Sequence, residues 1–256
     1  MFLCGSKFRY YSYLAFKTHN LMRIIPIFLL MFGIFSCSEE TQKEMSVSNE
    51  ITEYITKRYQ TGDITSSVRS ETKNEKEENY FEIKVGKSPV MDNSKSRPQL
   101  FTSDIAFRVY CGMDEAARKK YDIISVKITQ KNHATVMRYS NKELLDANTN
   151  LIWLDKFFRM VEAKDYQKAK EQFNAKLVDT ATVDLKTTYE SLSFSLGNLK
   201  NHELQGFEIV ESKVDSKTYR VLQASYISFY EKEYTLSKYA LLMDEPEQKL
   251  VNMDIQ

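Results

Sequence analysis

The chain has 256 residues and a nearly balanced charge, with 36 basic and 35 acidic side chains. Proteins that bind nucleic acid usually concentrate basic residues on one surface, so this balance argues against nucleic acid as the main partner. Its seven glycines, three histidines and three cysteines lack the clustering that a phosphate-binding loop or a His/Cys zinc site requires. The sequence therefore predicts no metal, no cofactor and no catalytic motif, and its length allows one or two domains.

The first feature along the chain is the uncharged, largely apolar run between Arg23 and Cys37. This run is much shorter than the roughly 20 apolar residues that cross a bilayer as a helix. It fits the apolar core of a secretory signal peptide, which a positive charge precedes. We therefore predict a signal peptide over residues 1–36. Within it, residues 1–21 are either an extension before a true start at Met22 or a long basic leader.

The end of this run, Ile34-Phe35-Ser36-Cys37, resembles the lipobox of bacterial lipoproteins. In that family a diacylglycerol is added to the cysteine thiol, and the leader is cut just before it. A thiolate is a strong nucleophile near neutral pH, and two or more acyl chains hold a protein stably on a membrane. The resemblance implies that Cys37 is the lipid-attachment site. The alternative is an uncleaved apolar anchor followed by an ordinary cysteine.

The residues after the anchor bear on location. The acidic pair Glu39-Glu40 resembles the export signal of surface lipoproteins in the Bacteroidetes group. Ser38, where an Asp would signal retention in the enterobacterial sorting scheme, resembles the pattern of outer-membrane delivery. We predict a lipidated tether over residues 37–47 and a cell-envelope protein on the outer membrane, facing the periplasm or the cell surface. Loss of the leader removes four basic side chains and no acidic one, which leaves the remaining chain slightly acidic.

Residues 48–147 predict an α+β domain with the element order α-β-β-α-β-β. Apolar residues at helical spacing follow Ser48, which suits the N-cap of a helix. Alternation of apolar and polar residues marks half-buried strands. The predicted elements are helices from Ser48 to about Gly62 and over Asp104–Lys120, and strands at Ile64–Glu71, Tyr80–Val85, Ile123–Thr129 and His133–Tyr139.

Residues 148–256 predict a second domain, in which helices precede a long antiparallel sheet. Asn148-Thr149-Asn150 predicts the end of a short helix, and the domain boundary is placed there. The predicted elements are helices over Leu151–Val161, Tyr166–Phe173 and Val183–Leu199, and strands over Glu203–Val214, Thr218–Tyr230, Tyr234–Met243 and Lys249–Ile255. Segregated helices and strands are typical of the α+β class.

This order, with a Lys-Asp-Tyr-Gln-Lys-Ala helix near its start, resembles the NTF2-like (SnoaL-like) superfamily and the related cystatin-like architecture. The resemblance implies a curved sheet around a helix and a cone-shaped cavity, which members use as an active site or a partner surface. Enzymes of this type pair a carboxylate base with a phenol donor. The candidate cavity residues are Trp153, Tyr189 and Tyr226, with Asp184 at the rim. The alternative is that these aromatic residues fill the cone as core.

Two other side chains have both a chemical and a structural interpretation. With Cys4 removed and Cys37 lipidated, Cys111 is left without a disulfide partner in the chain, and its apolar surroundings favour a small core residue over a reactive thiol. His133 lies at a predicted hairpin turn, which is typical of a solvated histidine. The sequence thus leaves two hypotheses. The first is a non-catalytic module that binds an envelope protein or a small ligand; the alternative is a lyase, isomerase or hydrolase acting in an NTF2-like cavity.

Overall fold

The computed structural model describes residues 39–73, 76–131, 133–214, 216–247 and 249–256. The predicted signal peptide and Cys37 lie outside these residues. Within the described part of the chain, no helix is both long enough and apolar enough to cross a membrane.

The described chain is a mixed α+β fold with two four-stranded sheets. The helices are α1 (Glu39–Tyr59), α2 (Pro89–Asn93), α3 (Pro98–Gly112), α4 (Glu115–Lys120), α5 (Asn141–Glu162), α6 (Tyr166–Lys170) and α7 (Leu185–Leu196), with a 3-10 turn at Thr180–Thr182. The strands are β1 (Ile64–Lys73), β2 (Lys76–Val85), β3 (Ile123–Gln130), β4 (His133–Ser140), β5 (Leu199–Val214), β6 (Lys217–Tyr230), β7 (Tyr234–Leu242) and β8 (Leu250–Ile255).

The first sheet has the strand order β1-β2-β3-β4. Its outer pairs are antiparallel hairpins, whereas β2 and β3 run parallel. A parallel pair needs a crossover connection, and the segment containing α2, α3 and α4 supplies it. The predicted order α-β-β-α-β-β is therefore present, with two short helices added around α3.

The single helix predicted over Asp104–Lys120 starts too late and is two helices, although the second ends at Lys120 as predicted. Helix α3 begins earlier, at Pro98, because proline suits the first turn of a helix. It ends at Gly112, and a separate helix α4 follows. Asp114 caps α4, with its carboxylate accepting from the backbone N–H of Ala117 at 2.9 Å.

The second sheet is an antiparallel meander, β5-β6-β7-β8, as the four predicted strands require. The helix predicted to reach Leu199 ends at Leu196 instead. Gly197 follows it with a φ of 86°, a conformation that glycine adopts without steric cost. Strand β5 starts two residues later, at Leu199.

Helix α1 begins at Glu39, well before the N-cap predicted at Ser48, so residues 39–47 of the predicted tether are helical. This segment lacks apolar periodicity, but it contains neither glycine nor proline. Glutamate, glutamine, lysine and methionine all have high helix propensity. The predicted start was too late because it required an apolar stripe, whereas helix propensity alone favours helix over these residues.

Helix α5 continues through the Asn148-Thr149-Asn150 sequence that was predicted to end it. The polar side chains bond within the helix or to the core instead of breaking it. Thr149 Oγ1 donates to the carbonyl of Leu145 at 3.0 Å, and Asn150 Oδ1 accepts from Nζ of Lys249 at 3.1 Å. The helix therefore starts at Asn141 and runs unbroken to Glu162.

Helix α3 lies at the centre of the molecule and is buried on nearly all sides, as expected of a helix without a polar face. It packs against β3 of the first sheet and β5 of the second. One continuous hydrophobic core contains residues of both sheets. The predicted boundary between residues 147 and 148 falls within α5, where Leu144 and Leu154 are both fully buried in that core. Independent folding of residues 48–147 and 148–256 stays a prediction.

Strand β5 is an edge strand, and α1 and α3 dock onto it through side-chain hydrogen bonds to its backbone. The N–H of Phe207 donates to Ser103 Oγ at 2.8 Å, and a guanidinium N–H of Arg58 donates to the carbonyl of Leu204 at 2.9 Å. Covering the edge in this way protects it from pairing with other chains. It also fixes the two helices relative to the second sheet.

Candidate functional site

A cleft of about 1660 Å³ lies between α1, the start of α3 and the second sheet. The sheet contributes its outer face, which is the face turned away from α5. Small-molecule pockets usually measure about 300–1,000 Å³, so this cleft has the dimensions of a surface for a polypeptide. We refer to it below as the cleft.

An apolar patch lies on the sheet wall of the cleft. Ile227 pairs with Leu236, and Phe229 pairs with Tyr234, across β6 and β7. Leu236 is 46% exposed and Tyr234 is 61% exposed. The ring centroids of Phe229 and Tyr234 are 6.4 Å apart. Adjacent exposed apolar side chains on one sheet face are typical of an interaction surface.

The charged side chains of the cleft largely compensate one another. Nζ of Lys57 lies 2.6 Å from the Glu53 carboxylate, and Arg97 lies 2.7 Å from the Glu208 carboxylate. Lys238 stands opposite Asp254 across β7 and β8. The cleft therefore offers no strong field of one sign, which favours a partner recognised by shape and apolar contact.

A buried charged cluster forms the floor of the cleft beneath α1. The carboxylate of Asp104, on α3, is completely buried. It accepts hydrogen bonds from the hydroxyls of Tyr54 at 2.9 Å and Tyr59 at 2.7 Å, and Nε of Arg58 lies 3.0 Å away. The guanidinium of Arg108 lies 4.9 Å from the Tyr54 ring centroid. We call these five residues the Asp104 cluster.

Three members of the Asp104 cluster, Tyr54, Tyr59 and Arg58, keep their protons at neutral pH. Burial raises the pKa of Tyr54 and of Tyr59, and the Asp104 carboxylate raises both further. Burial, the largest single influence, would lower the pKa of Arg58, but attraction to Asp104 together with the interactions of Tyr54 and Tyr59 outweighs it, and the pKa lies above its ordinary value. Arg58 also pairs with Glu203 of β5. The phenols therefore remain hydrogen-bond donors, and the cluster ties α1, α3 and β5 together as a rigid floor.

The inner face of the second sheet, against α5, carries a strip of polar side chains. The strand register aligns His202, Ser228 and Thr235 in one row, with Ser237 and Tyr230 beside it. Within the described residues, His202 Nε2 is buried without a hydrogen-bond partner, whereas the hydroxyl of Tyr230 interacts with Thr235 and that of Tyr239 with Ser237. Buried polar atoms are usually paired, so this hydroxyl strip is the second notable site.

Two of the four predicted cavity residues, Tyr189 and Tyr226, both lie against Tyr239, near this strip. The hydroxyls of Tyr189 and Tyr239 are 3.4 Å apart, and the ring of Tyr226 lies 5.9 Å from that of Tyr239. Tyr226 also packs edge-on against Phe158 at 5.0 Å and borders the cleft. Both tyrosines are buried in the core.

The other two predicted cavity residues have different contacts. Asp184 is the exposed N-cap of α7, and its carboxylate accepts from the N–H of Thr187 at 3.0 Å. That backbone hydrogen bond lowers the pKa of Asp184. Trp153 is half-buried on α5 and packs against the core. The role of these residues as cavity lining stays a prediction.

The positions of Cys111 and His133 agree with the structural interpretation of each residue, a small core residue and a solvated histidine. Cys111 is partly buried on α3 and packs against the core. His133 is exposed at the first position of β4, beside the β3–β4 turn.

Sequence reasoning missed the Asp104 cluster. Asp104 stands among buried apolar residues of α3, and an acid in an apolar helix predicts a buried partner. Tyr54, Arg58 and Tyr59 lie close together on α1, but no spacing rule links them to a helix 45 residues away. Asp104, as a single acid in an apolar helix, was therefore the one feature of the sequence that indicated the cluster.

Comparison with known proteins adds no assignment. No protein-family model, curated protein or solved structure matches this chain. Over the described ranges, no three or more His, Cys, Asp or Glu side chains are grouped so as to hold a metal ion. The function must therefore be argued from the geometry of the cleft and the strip.

Proposed function

We propose that this protein is a lipid-anchored component of the bacterial cell envelope whose cleft binds a polypeptide partner without catalysing a reaction. The observation that carries the proposal is the apolar patch on the wall of a cleft of about 1660 Å³. A partner that covers the patch would remove Leu236 and Tyr234 from water, and such burial contributes about 25 cal/mol per Å². The rigid Asp104 cluster supports the opposite side, so binding requires little reordering.

The position of the cleft relative to the proposed anchor supports an envelope partner. Helix α1 includes Glu39, two residues after the proposed lipid-attachment site at Cys37, and Glu50 on the same helix lines the cleft. At 1.5 Å per residue, roughly 16 Å of helix separates Glu39 from Glu50. A helical spacer of this length would hold the cleft close to the membrane surface, where another anchored protein or a membrane-protein segment is accessible.

A second candidate function is chemistry on a small molecule at the inner face of the second sheet, as the NTF2-like resemblance implies. The hydroxyl strip favours it, because buried hydroxyls and a neutral imidazole could bind an uncharged polar substrate. Phe157, Phe158, Tyr226 and Tyr239 occupy much of the space between α5 and this face. The first candidate is preferred because its site is open.

The anchor is tested by replacing Cys37 with alanine. We expect Cys37→Ala to abolish labelling by radioactive palmitate and to move the protein from the membrane fraction to the soluble fraction, because the thiol is the attachment atom. Cys111→Ala is the matched control and should keep both properties. Labelling and membrane retention that survive in Cys37→Ala would refute the lipid anchor.

The cleft is tested by placing a charge in the apolar patch. Leu236→Lys is expected to weaken partner binding by at least about tenfold, since central apolar contacts dominate interface energies. The measurement is the amount of partner that copurifies from detergent-solubilised envelopes at increasing dilution. Val136→Lys is the control, because Val136 has similar exposure on the first sheet. If equal amounts of partner copurify with both variants, the cleft is not the surface that binds the partner.

A further inference from the structure

His202 occupies an unusual position between α5 and the second sheet. Its ring stacks on Phe158 of α5, with centroids 4.0 Å apart and planes inclined by 17°. Its Nδ1 lies 2.8 Å from Ser228 Oγ on β6. Its Nε2 is buried and has no hydrogen-bond partner among the described residues. One face of the imidazole therefore packs in the contact between α5 and the second sheet. Among the described residues, Nδ1 has Ser228 as a hydrogen-bond partner and Nε2 has none.

The groups around His202 offer no counter-ion for a protonated ring. On α5, Asp155 is exposed and pairs with Arg159 at 2.9 Å. Glu162 is exposed at the last position of α5, and desolvation by its surroundings raises its pKa. On β5 itself, Lys200 pairs with Glu231, and Glu203 pairs with Arg58 of the cleft floor.

The facing strands β6 and β7 contribute phenols. These are Tyr226, Tyr230 and Tyr239, which are neutral in acid.

We propose that His202 makes the contact between α5 and the second sheet acid-sensitive: protonation makes both ring nitrogens donors and places a positive charge on a ring whose Nε2–H has no acceptor among the described residues, and the end of α5 separates from β5. Stacking on Phe158 gives an imidazolium some cation–π attraction, but this is smaller than the cost of an unpaired buried cation. This acid sensitivity requires neither the proposed partner nor the proposed lipid anchor.

The pH window follows from the burial of the ring, which lowers the pKa of His202 to about 4. In the unfolded chain a histidine titrates near pH 6.5. Because the folded value is the lower one, the unfolded state binds more protons between the two values, and stability falls as pH falls through that range. The contribution of neutral His202 is complete above about pH 6.5 and is lost by about pH 4.

Trp153 provides a built-in reporter of this event. It is the single tryptophan of the chain, and it lies half-buried on α5, the helix that carries Phe158. Separation of α5 from the sheet would expose its indole and shift its emission to longer wavelength. The experiment follows Trp153 emission and the melting temperature of the full-length protein in detergent micelles, from pH 7 to pH 4.5.

The decisive variant is His202→Phe, which keeps an aromatic ring for the stack but cannot gain a proton. Wild type is expected to show a reversible red shift on acidification and a fall in Tm that exceeds that of His202→Phe by about 8 °C. His202→Asn, which can still bond Ser228, serves if the first variant does not fold. His133→Phe, at the exposed histidine, should behave as wild type. An acid-induced red shift and Tm loss of wild-type size in His202→Phe or His202→Asn would overturn the proposal.

Discussion

Replacing Gly206 with alanine is expected to lower the free energy of unfolding by about 4 kcal/mol. Gly206 has a φ of 144°, which alanine adopts only under strain. A β-carbon at this position would lie 2.1 Å from the carbonyl oxygen of Leu100. Because that atom belongs to the backbone of α3, a rotamer change cannot relieve the clash. The measurement is chemical denaturation followed by circular dichroism.

The control for Gly206→Ala is Gly62→Ala, since a β-carbon at Gly62 would meet no atom within 4 Å. We expect this control to change stability by less than about 0.5 kcal/mol. The contrast follows from the β-bulge between Leu204 and Gly206, where α3 approaches β5 more closely than a side chain would allow. Similar small effects of both substitutions would show that α3 does not contact β5 at this point.

Replacing Asp104 with alanine is expected to cost about 4 kcal/mol, the magnitude seen when one partner of a buried ion pair is removed. The change would leave the largely buried guanidinium of Arg58 with only the partly exposed Glu203 as its anion. It would also leave the hydroxyls of Tyr54 and Tyr59 without the acceptor that both share. The measurement is the same denaturation experiment.

A matched control for Asp104→Ala is Asp155→Ala on α5. Asp155 pairs with Arg159 four residues away, but both side chains are mostly exposed, at 58% and 70%. Exposed pairs of this kind contribute about 0–1 kcal/mol. Asp104→Asn retains the shape and an acceptor, and it should fall between the two because only the charge is lost. An Asp104→Ala variant as stable as Asp155→Ala would mean that the cluster does not hold α1 in place.

The strands were predictable from the sequence because their signal is local. Alternation at Tyr80–Val85 placed three residues of β2 on the core side, and Ile83 and Val85 are buried there. The four long β-rich stretches after His202 predicted an antiparallel sheet, and four antiparallel strands are present there. In each case the pattern within one segment was enough to determine the element, since burial of one sheet face requires a period of two.

Other features depend on parts of the chain that are distant in sequence. The Asn-Thr-Asn stretch containing Asn150 predicted a helix end, since the hydrogen-bond partner of Asn150, Lys249, is 99 residues away in sequence. The sequence around Gly206 gives no sign that a glycine is needed there. The need arises because the backbone of Leu100 approaches Gly206 once α3 packs against β5. The cleft floor has the same origin, because Asp104 and Tyr54 are 50 residues apart. Contacts of this kind cannot be inferred from periodicity.

The central claim is that the cleft is the surface through which this protein meets a partner. The most direct test incorporates the photo-reactive amino acid benzoylphenylalanine at Leu236 or at Val136, which are 46% and 50% exposed in wild type, in the cells that naturally make the protein. The account predicts a discrete cross-linked adduct from position 236 and none from position 136. Equal adducts from both positions, or none from position 236, would contradict it.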